Sequence, residues 1–147
     1  MEFVKDWLNR ANKERDNDIY RFFCYFIAFN FSYNENCIEQ SEYMRVRQYI
    51  HAVCEKFADF DPYGQLPKDA EILKSVKCAK NIKYSVSQTA LDQKCAPTLY
   101  ENIYHVRCNL FHGSKNMRSD RDKKLISESC VLLKYLLSSF LIDNSSD

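Results

Sequence analysis

The chain has 147 residues, a size for one domain with a real core; its 46% hydrophobic residues need no staples to bury one. Its 21 Lys and Arg against 20 Asp and Glu leave a net charge of +1, which excludes a generally basic nucleic-acid binder and confines any such contact to a local patch. Only two glycines and three prolines are present, a scarcity of breakers that favours long helices. Seven cysteines (24, 37, 54, 78, 95, 108 and 130) form no close pairs and total an odd number, so they read as reduced thiols serving mostly as small core residues, with no disulfide framework or zinc site. The opening Met1-Glu2-Phe3-Val4-Lys5-Asp6 is too charged for a signal-peptide core. The longest apolar run, Phe22 to Phe29, falls far short of the roughly 20 residues of a membrane helix. The expectation is a soluble, cytoplasmic protein with no membrane contact.

Phe3, Val4, Trp7, Leu8 and Ala11 recur with helical period and predict a short amphipathic opening helix. Asn17 or Asp18 caps the next, through Ile19, Phe22, Phe23, Phe26, Ile27 and Asn30; being apolar nearly all round, it should be central and buried. The aromatic density from Tyr20 to Tyr33 fits core packing better than base stacking. Ser41 caps a third helix with Val46, Tyr49, Ile50, Val53, Cys54 and Phe57 on one face, and His51 among them reads as structural. Pro62, Gly64 and Pro67 mark a loop from Asp59 to Pro67; a weaker helix follows from Lys68 to Lys80 with Ile72, Leu73, Val76 and Ala79, and then a polar, irregular stretch from Asn81 to Thr89. Pro97 suits the first residue of a helix striped by Leu99, Ile103, Val106 and Leu110. Ser119-Asp120-Arg121-Asp122 has the form of a capping box and opens a last helix carrying Leu125, Ser129, Leu132, Leu133, Leu136, Leu137 and Phe140. The predicted fold is an all-α bundle of about five helices, forming a single helical domain over residues 1–147.

The chemistry-bearing stretch is Val106-Arg107-Cys108-Asn109-Leu110-Phe111-His112-Gly113-Ser114-Lys115. Five residues on an α-helix separate two side chains by roughly 140°, so Arg107 and His112 do not meet on one straight helix. They converge only if the helix ends near His112 or a second copy supplies the facing pair. Gly113 suits such an end, since glycine takes the left-handed conformation of a helix stop without steric cost. A permanent cation beside a group that exchanges protons near neutral pH suits chemistry at a phosphate.

At these residues the chain resembles the HEPN superfamily. Arg107 to His112 matches its R-x4-6-H signature, and Asn109-Leu110-Phe111-His112-Gly113 followed by Lys115 looks like its common R-N-N-L-F-H-G-x-K form. The run Phe26-Ile27-Ala28-Phe29-Asn30 is similar to the first core helix of many members, and by element order the resemblance spans about Asp18 to Leu141. Cys108 is a departure, standing where many members place a polar residue; Asn109 keeps the second polar position. The resemblance implies a metal-independent endoribonuclease without cofactors, a homodimer whose two active pairs meet across the symmetry axis, acting as a toxin, defence or RNA-processing factor. In that chemistry the RNA 2′-hydroxyl is the nucleophile. An inhibitory or antitoxin protein is a further implied partner. One branch is silenced by nucleotide transfer to a tyrosine two residues after the motif histidine; here that position is Ser114, so inhibition would have to come from binding.

In this reading Arg107 stabilises charge developing on the phosphate, and His112, favoured in its protonated form by the helix end, transfers protons. Asn109, roughly 60° from His112 around the helix, positions it or the phosphate. The connector from Lys115 to Lys124 holds five cations and two anions, and its Lys115, Arg118 and Arg121 are the candidate RNA contacts. Without the resemblance, Arg107 is a surface or ion-paired arginine, His112 a helix-end histidine bonded to local carbonyls, and the connector a solvated face. His105, Cys108 and His112 share one helical face, but no fourth zinc ligand is evident; Cys108 reads as packed, with no third group to orient a Cys–His pair. The alternative function is a non-catalytic helical module that binds a nucleotide or a partner protein.

Overall fold

A computed structural model describes residues 2–74, 96–111, 113 and 119–140, and the described residues are all-α. Among the described residues are five helices: α1 (Glu2–Lys13), α2 (Asp18–Asn36), α3 (Glu42–Lys56), α4 (Ala96–Phe111) and α5 (Asp120–Ser139). Two 3-10 turns, Tyr63–Gln65 and Glu71–Leu73, lie between α3 and α4.

Helix α2 is the centre, packed against α1 on one side and α5 on another, while α3 lies along α4. Its Phe22, Phe26, Phe29 and Tyr33 are buried. Phe26 and Tyr33 each meet the Phe29 ring edge-on, 5.7 and 5.0 Å between centroids, geometries that add to simple area burial. Asn17 caps α2 by accepting from the Tyr20 amide at 3.0 Å, as its residue type predicts. Ser119 does the same for α5, its hydroxyl accepting from the Asp122 amide at 3.4 Å. Ser41 holds the corresponding position for α3 without such a bond.

Of the predicted stripes, Leu99, Ile103 and Val106 of α4 are buried and Leu110 is half-buried, while Leu125, Ser129, Leu132, Leu133, Leu136, Leu137 and Phe140 of the last helix are all buried. Tyr100 ties the two together by donating to the Leu132 carbonyl at 2.9 Å. On α3, Val46, Tyr49, Ile50 and Val53 are buried, but Cys54 and His51 are exposed. Cys54 therefore leaves the core face expected for it, and His51, read as structural, stands outside the core; the buried face is narrower than the residue types suggested. Cys24, Cys37 and Cys130 are buried free thiols, in line with a packing role, and Cys78 and Cys95 lie outside the described residues.

Where a helix from Lys68 to Lys80 was expected, residues 71–73 form a single 3-10 turn, and the expected positions beyond Lys74 lie outside the described residues, as does the stretch from Asn81 to Thr89. Two neighbours hold that turn by its backbone. The Glu128 carboxylate on α5 accepts from the amides of Glu71 (3.1 Å) and Ile72 (2.9 Å), and the Asn102 amide on α4 donates to the Ile72 carbonyl at 3.3 Å. Buried Ile72 then packs into the shared core. Among the described residues, no helix is long and apolar enough to cross a membrane.

Candidate active site around Arg107

Arg107 lies in the last full turn of α4, four residues before that helix ends at Phe111. Gly113 follows with φ +70°, and its amide donates to the Leu110 carbonyl at 3.1 Å. The helix therefore stops where the sequence placed the stop, using the one backbone conformation that favours glycine. His112 itself, with Ser114, Lys115 and Arg118, lies outside the described residues.

The Arg107 side chain is about three-quarters covered. Its guanidinium carbon stands 4.8 Å from the Phe111 ring centre, 5.5 Å from Phe26 and 5.8 Å from Tyr104, so aromatic faces surround a permanent cation. One nitrogen is 3.8 Å from Oε2 of Glu42, at the start of α3, and 3.9 Å from the Cys108 sulfur. Cys108 is thus an immediate neighbour of the motif arginine and half-buried. Phe111, stacked tilted on Phe23 at 5.3 Å, keeps 64% of its surface exposed beside the guanidinium.

Glu42 is the hub that the sequence did not reveal. Its Oε1 accepts from the Tyr33 hydroxyl at 2.6 Å and from the Asn30 amide at 3.0 Å, and its Oε2 from the Tyr104 hydroxyl at 3.4 Å. Asn30 also donates to the Tyr33 oxygen at 2.7 Å. Burial, reinforced by the Glu42 carboxylate, holds the Tyr33 phenol far above its ordinary range. Burial, then Cys108 and Glu42, does the same for Tyr104. Both hydroxyls stay protonated and act as donors at neutral pH. Three helices converge on one carboxylate, and that carboxylate faces Arg107. The last residue of the Phe26–Asn30 run and the motif arginine thereby share a partner. A first-turn acid such as Glu42 looks in sequence like an ordinary helix-dipole complement; nothing local connects it to α4.

Asn109 is buried. Arg121, half-exposed, stands 3.7 Å from Glu71 and 3.9 Å from Asp122, so the described member of the expected RNA-contact cations has anionic neighbours. His105 does not share a metal-ligand group with Cys108 among the described residues. It lies instead 3.7 Å from Glu101, whose other oxygen accepts from Arg47 of α3 at 2.8 Å. Burial works to raise the Glu101 carboxyl, but the hydrogen bonds and charges of His105 and Arg47 outweigh it and hold the group below its ordinary value. Arg47 also donates to the Thr98 hydroxyl at 2.9 Å, which locks α3 onto the first half of α4, ahead of the motif.

The arrangement offers a fixed, partly open cation at a helix end, with a carboxylate and phenolic donors behind it. Such a cation can meet an anion such as a phosphate from the solvent side. Comparison with family models, with curated proteins and with solved structures finds no match in any of the three.

Proposed function

We propose that the chain is a metal-independent endoribonuclease of HEPN type, cleaving RNA at a composite site in a homodimer. The observation that carries this reading is the setting of Arg107: a guanidinium held by Glu42 and three rings, at the end of a helix that Gly113 closes directly after His112. Arg107 stabilises the negative charge on the phosphorane-like transition state. His112 moves the protons, taking one from the attacking 2′-hydroxyl or giving one to the departing 5′-oxygen. The 2′-oxygen–phosphorus bond forms as the phosphorus–5′-oxygen bond breaks, leaving a 2′,3′-cyclic phosphate and a 5′-hydroxyl. Asn109, buried on the same helix, positions the histidine or the phosphate. The exposed Phe111 ring beside Arg107 supports the homodimer, because a second copy would cover it and bring a facing pair to the first.

The test is cleavage of RNA at low salt in EDTA by the wild type and by His112→Ala. Cleavage that persists in chelator, leaves cyclic or 3′-phosphate ends, and falls at least about 100-fold in the variant supports the reading. Ends bearing 5′-phosphate, or full loss in chelator, refute it. Sedimentation at micromolar concentration should give a dimer; a monomer that still cleaves refutes the composite site. The ion pair of Arg107 with Glu42 also favours a second reading, a non-catalytic helical module in which the arginine braces α3 against α4. Undiminished partner or nucleotide binding by a wild type that cuts no RNA would select it.

A further inference from the structure

A second polar site lies away from Arg107 and shares no residue with its cluster. The end of α1, the turn into α2, the first turns of α2 and the middle of α5 enclose an open cleft of about 440 Å³. That is within the roughly 300–1,000 Å³ of small-molecule sites and more than a lone inorganic anion fills. Arg15, Arg21 and Lys134 bring three cations to its lining, against the single carboxylate of Glu14, in a chain whose overall charge is only +1. Glu14 is turned to the backbone: its Oε1 accepts from the amides of Asp16 at 3.1 Å and Asn17 at 2.9 Å.

Arg21 is the informative member. Its terminal nitrogen reaches Asp18 at a loose 3.4 Å, while its Nε is buried with no hydrogen-bond partner. Nε is closed off from the cleft, so a ligand there meets the guanidinium through its terminal nitrogens, donors that can still take two oxygens of a phosphate at once. Tyr25 on the lining donates to the Asn12 oxygen at 2.6 Å, which fixes the Asn12 amide with its NH2 left as a further donor. Burial pushes the Cys130 thiol up to about 11 against the pull of neighbouring Arg21, so the sulfur on the lining is neutral at physiological pH and adds no negative charge to the cleft.

We propose that this cleft binds a phosphomonoester-bearing small molecule of about mononucleotide size, its phosphate held by Arg21 and Lys134. The site is independent of the ribonuclease reading: ligand binding here requires neither Arg107 nor His112. Calorimetric titration of the full chain with AMP, ribose 5-phosphate and adenosine tests it. The expected result is saturable binding of AMP at one site per chain, none of adenosine, and a tenfold or greater loss in the Arg21→Gln/Lys134→Gln double variant. Ribose 5-phosphate binding as tightly as AMP would place the recognition in the sugar phosphate; weaker binding would add the base, and both sustain the proposal. Because Arg21 is partly packed, Lys134→Gln alone, at an exposed position, supplies a fold-neutral variant expected to weaken AMP several-fold. Lys68→Gln, on a different surface, should leave binding unchanged. No saturable binding of either phosphate compound, equal binding of adenosine, or AMP affinity within twofold of wild type in both cleft variants would overturn the proposal. So would an RNA oligonucleotide binding through Lys134 while AMP does not bind.

Discussion

Replacing Glu42 with Gln keeps the shape of the hub and removes its charge, which isolates what the carboxylate does. In the wild type one oxygen accepts two hydrogen bonds, from Tyr33 and Asn30, and the other meets Tyr104 and Arg107. At 3.8 Å two unit charges attract by about 4 kcal/mol at an effective dielectric near 20. Both side chains are about a quarter exposed (26% and 27%), so solvent screening and the cost of desolvation leave about 1 kcal/mol for the pair. Converting the charge-assisted bonds from Tyr33 and Asn30 to neutral ones removes about another 1 kcal/mol. Glu42→Gln should therefore lower stability by about 2 kcal/mol, roughly 6 °C in Tm at this chain length. Glu42→Ala should cost about 3–4 kcal/mol, because the buried Tyr33 hydroxyl then has no acceptor. Urea unfolding followed by circular dichroism measures both, with the midpoint moving at constant m-value. A cycle with Tyr33→Phe should return a coupling of about 1 kcal/mol with Glu42→Gln. A Gln variant within about 0.5 kcal/mol of wild type, or no coupling to Tyr33, would refute the carboxylate as the organiser of the site.

Glu101→Gln should destabilise the chain by about 1–2 kcal/mol at pH 7 by weakening the Arg47 and His105 contacts. Because the folded state holds this carboxyl below its ordinary value of 4.5, its contribution is present above about that pH and is lost as pH falls through the depressed value; denaturation midpoints of wild type and variant should converge in acid. Tyr100→Phe removes a buried hydroxyl that donates to the Leu132 carbonyl and should cost about 1 kcal/mol by the same unfolding assay, with no change in any RNA cleavage rate.

What the sequence makes legible here is local, and what it hides is tertiary. The caps at Asn17 and Ser119, the glycine stop at Gly113 and the stripes of α4 and α5 follow from residue types a few positions apart, where backbone geometry alone dictates the outcome. The periodicity of α3 is equally local, yet it misplaced Cys54, because the width of a buried face depends on which helix covers it. The 3-10 turn at Glu71–Leu73 is decided by Glu128 and Asn102, each reaching it from a helix far along the chain. The site divides the same way. Arg107, Asn109 and the helix end are visible as a pattern, but the identity of Glu42 as the arginine's partner depends on α3 lying along α4, which the Arg47–Glu101 pair and Thr98 secure.

That division bears on how the arginine works. An arginine held only by its own helix would sample many rotamers, and its charge would reach a phosphate at the cost of ordering four side-chain torsions. Here Phe26 from α2, Glu42 from α3 and Tyr104 and Phe111 from α4 restrict it before any ligand arrives. Preorganisation of this kind is where electrostatic stabilisation of a transition state gains its strength, since no reorganisation remains to be done as charge develops. The same carboxylate also competes with an incoming phosphate for the guanidinium. At 3.8 Å the contact is a loose one rather than a close fork, so the guanidinium can keep Glu42 as a neighbour while its open edge turns to the ligand. On the proposed ribonuclease reading, loosening the Glu42 hub should thus leave the arginine's charge intact while raising the ordering cost, an effect that falls on turnover more than on the pull of the protein for RNA.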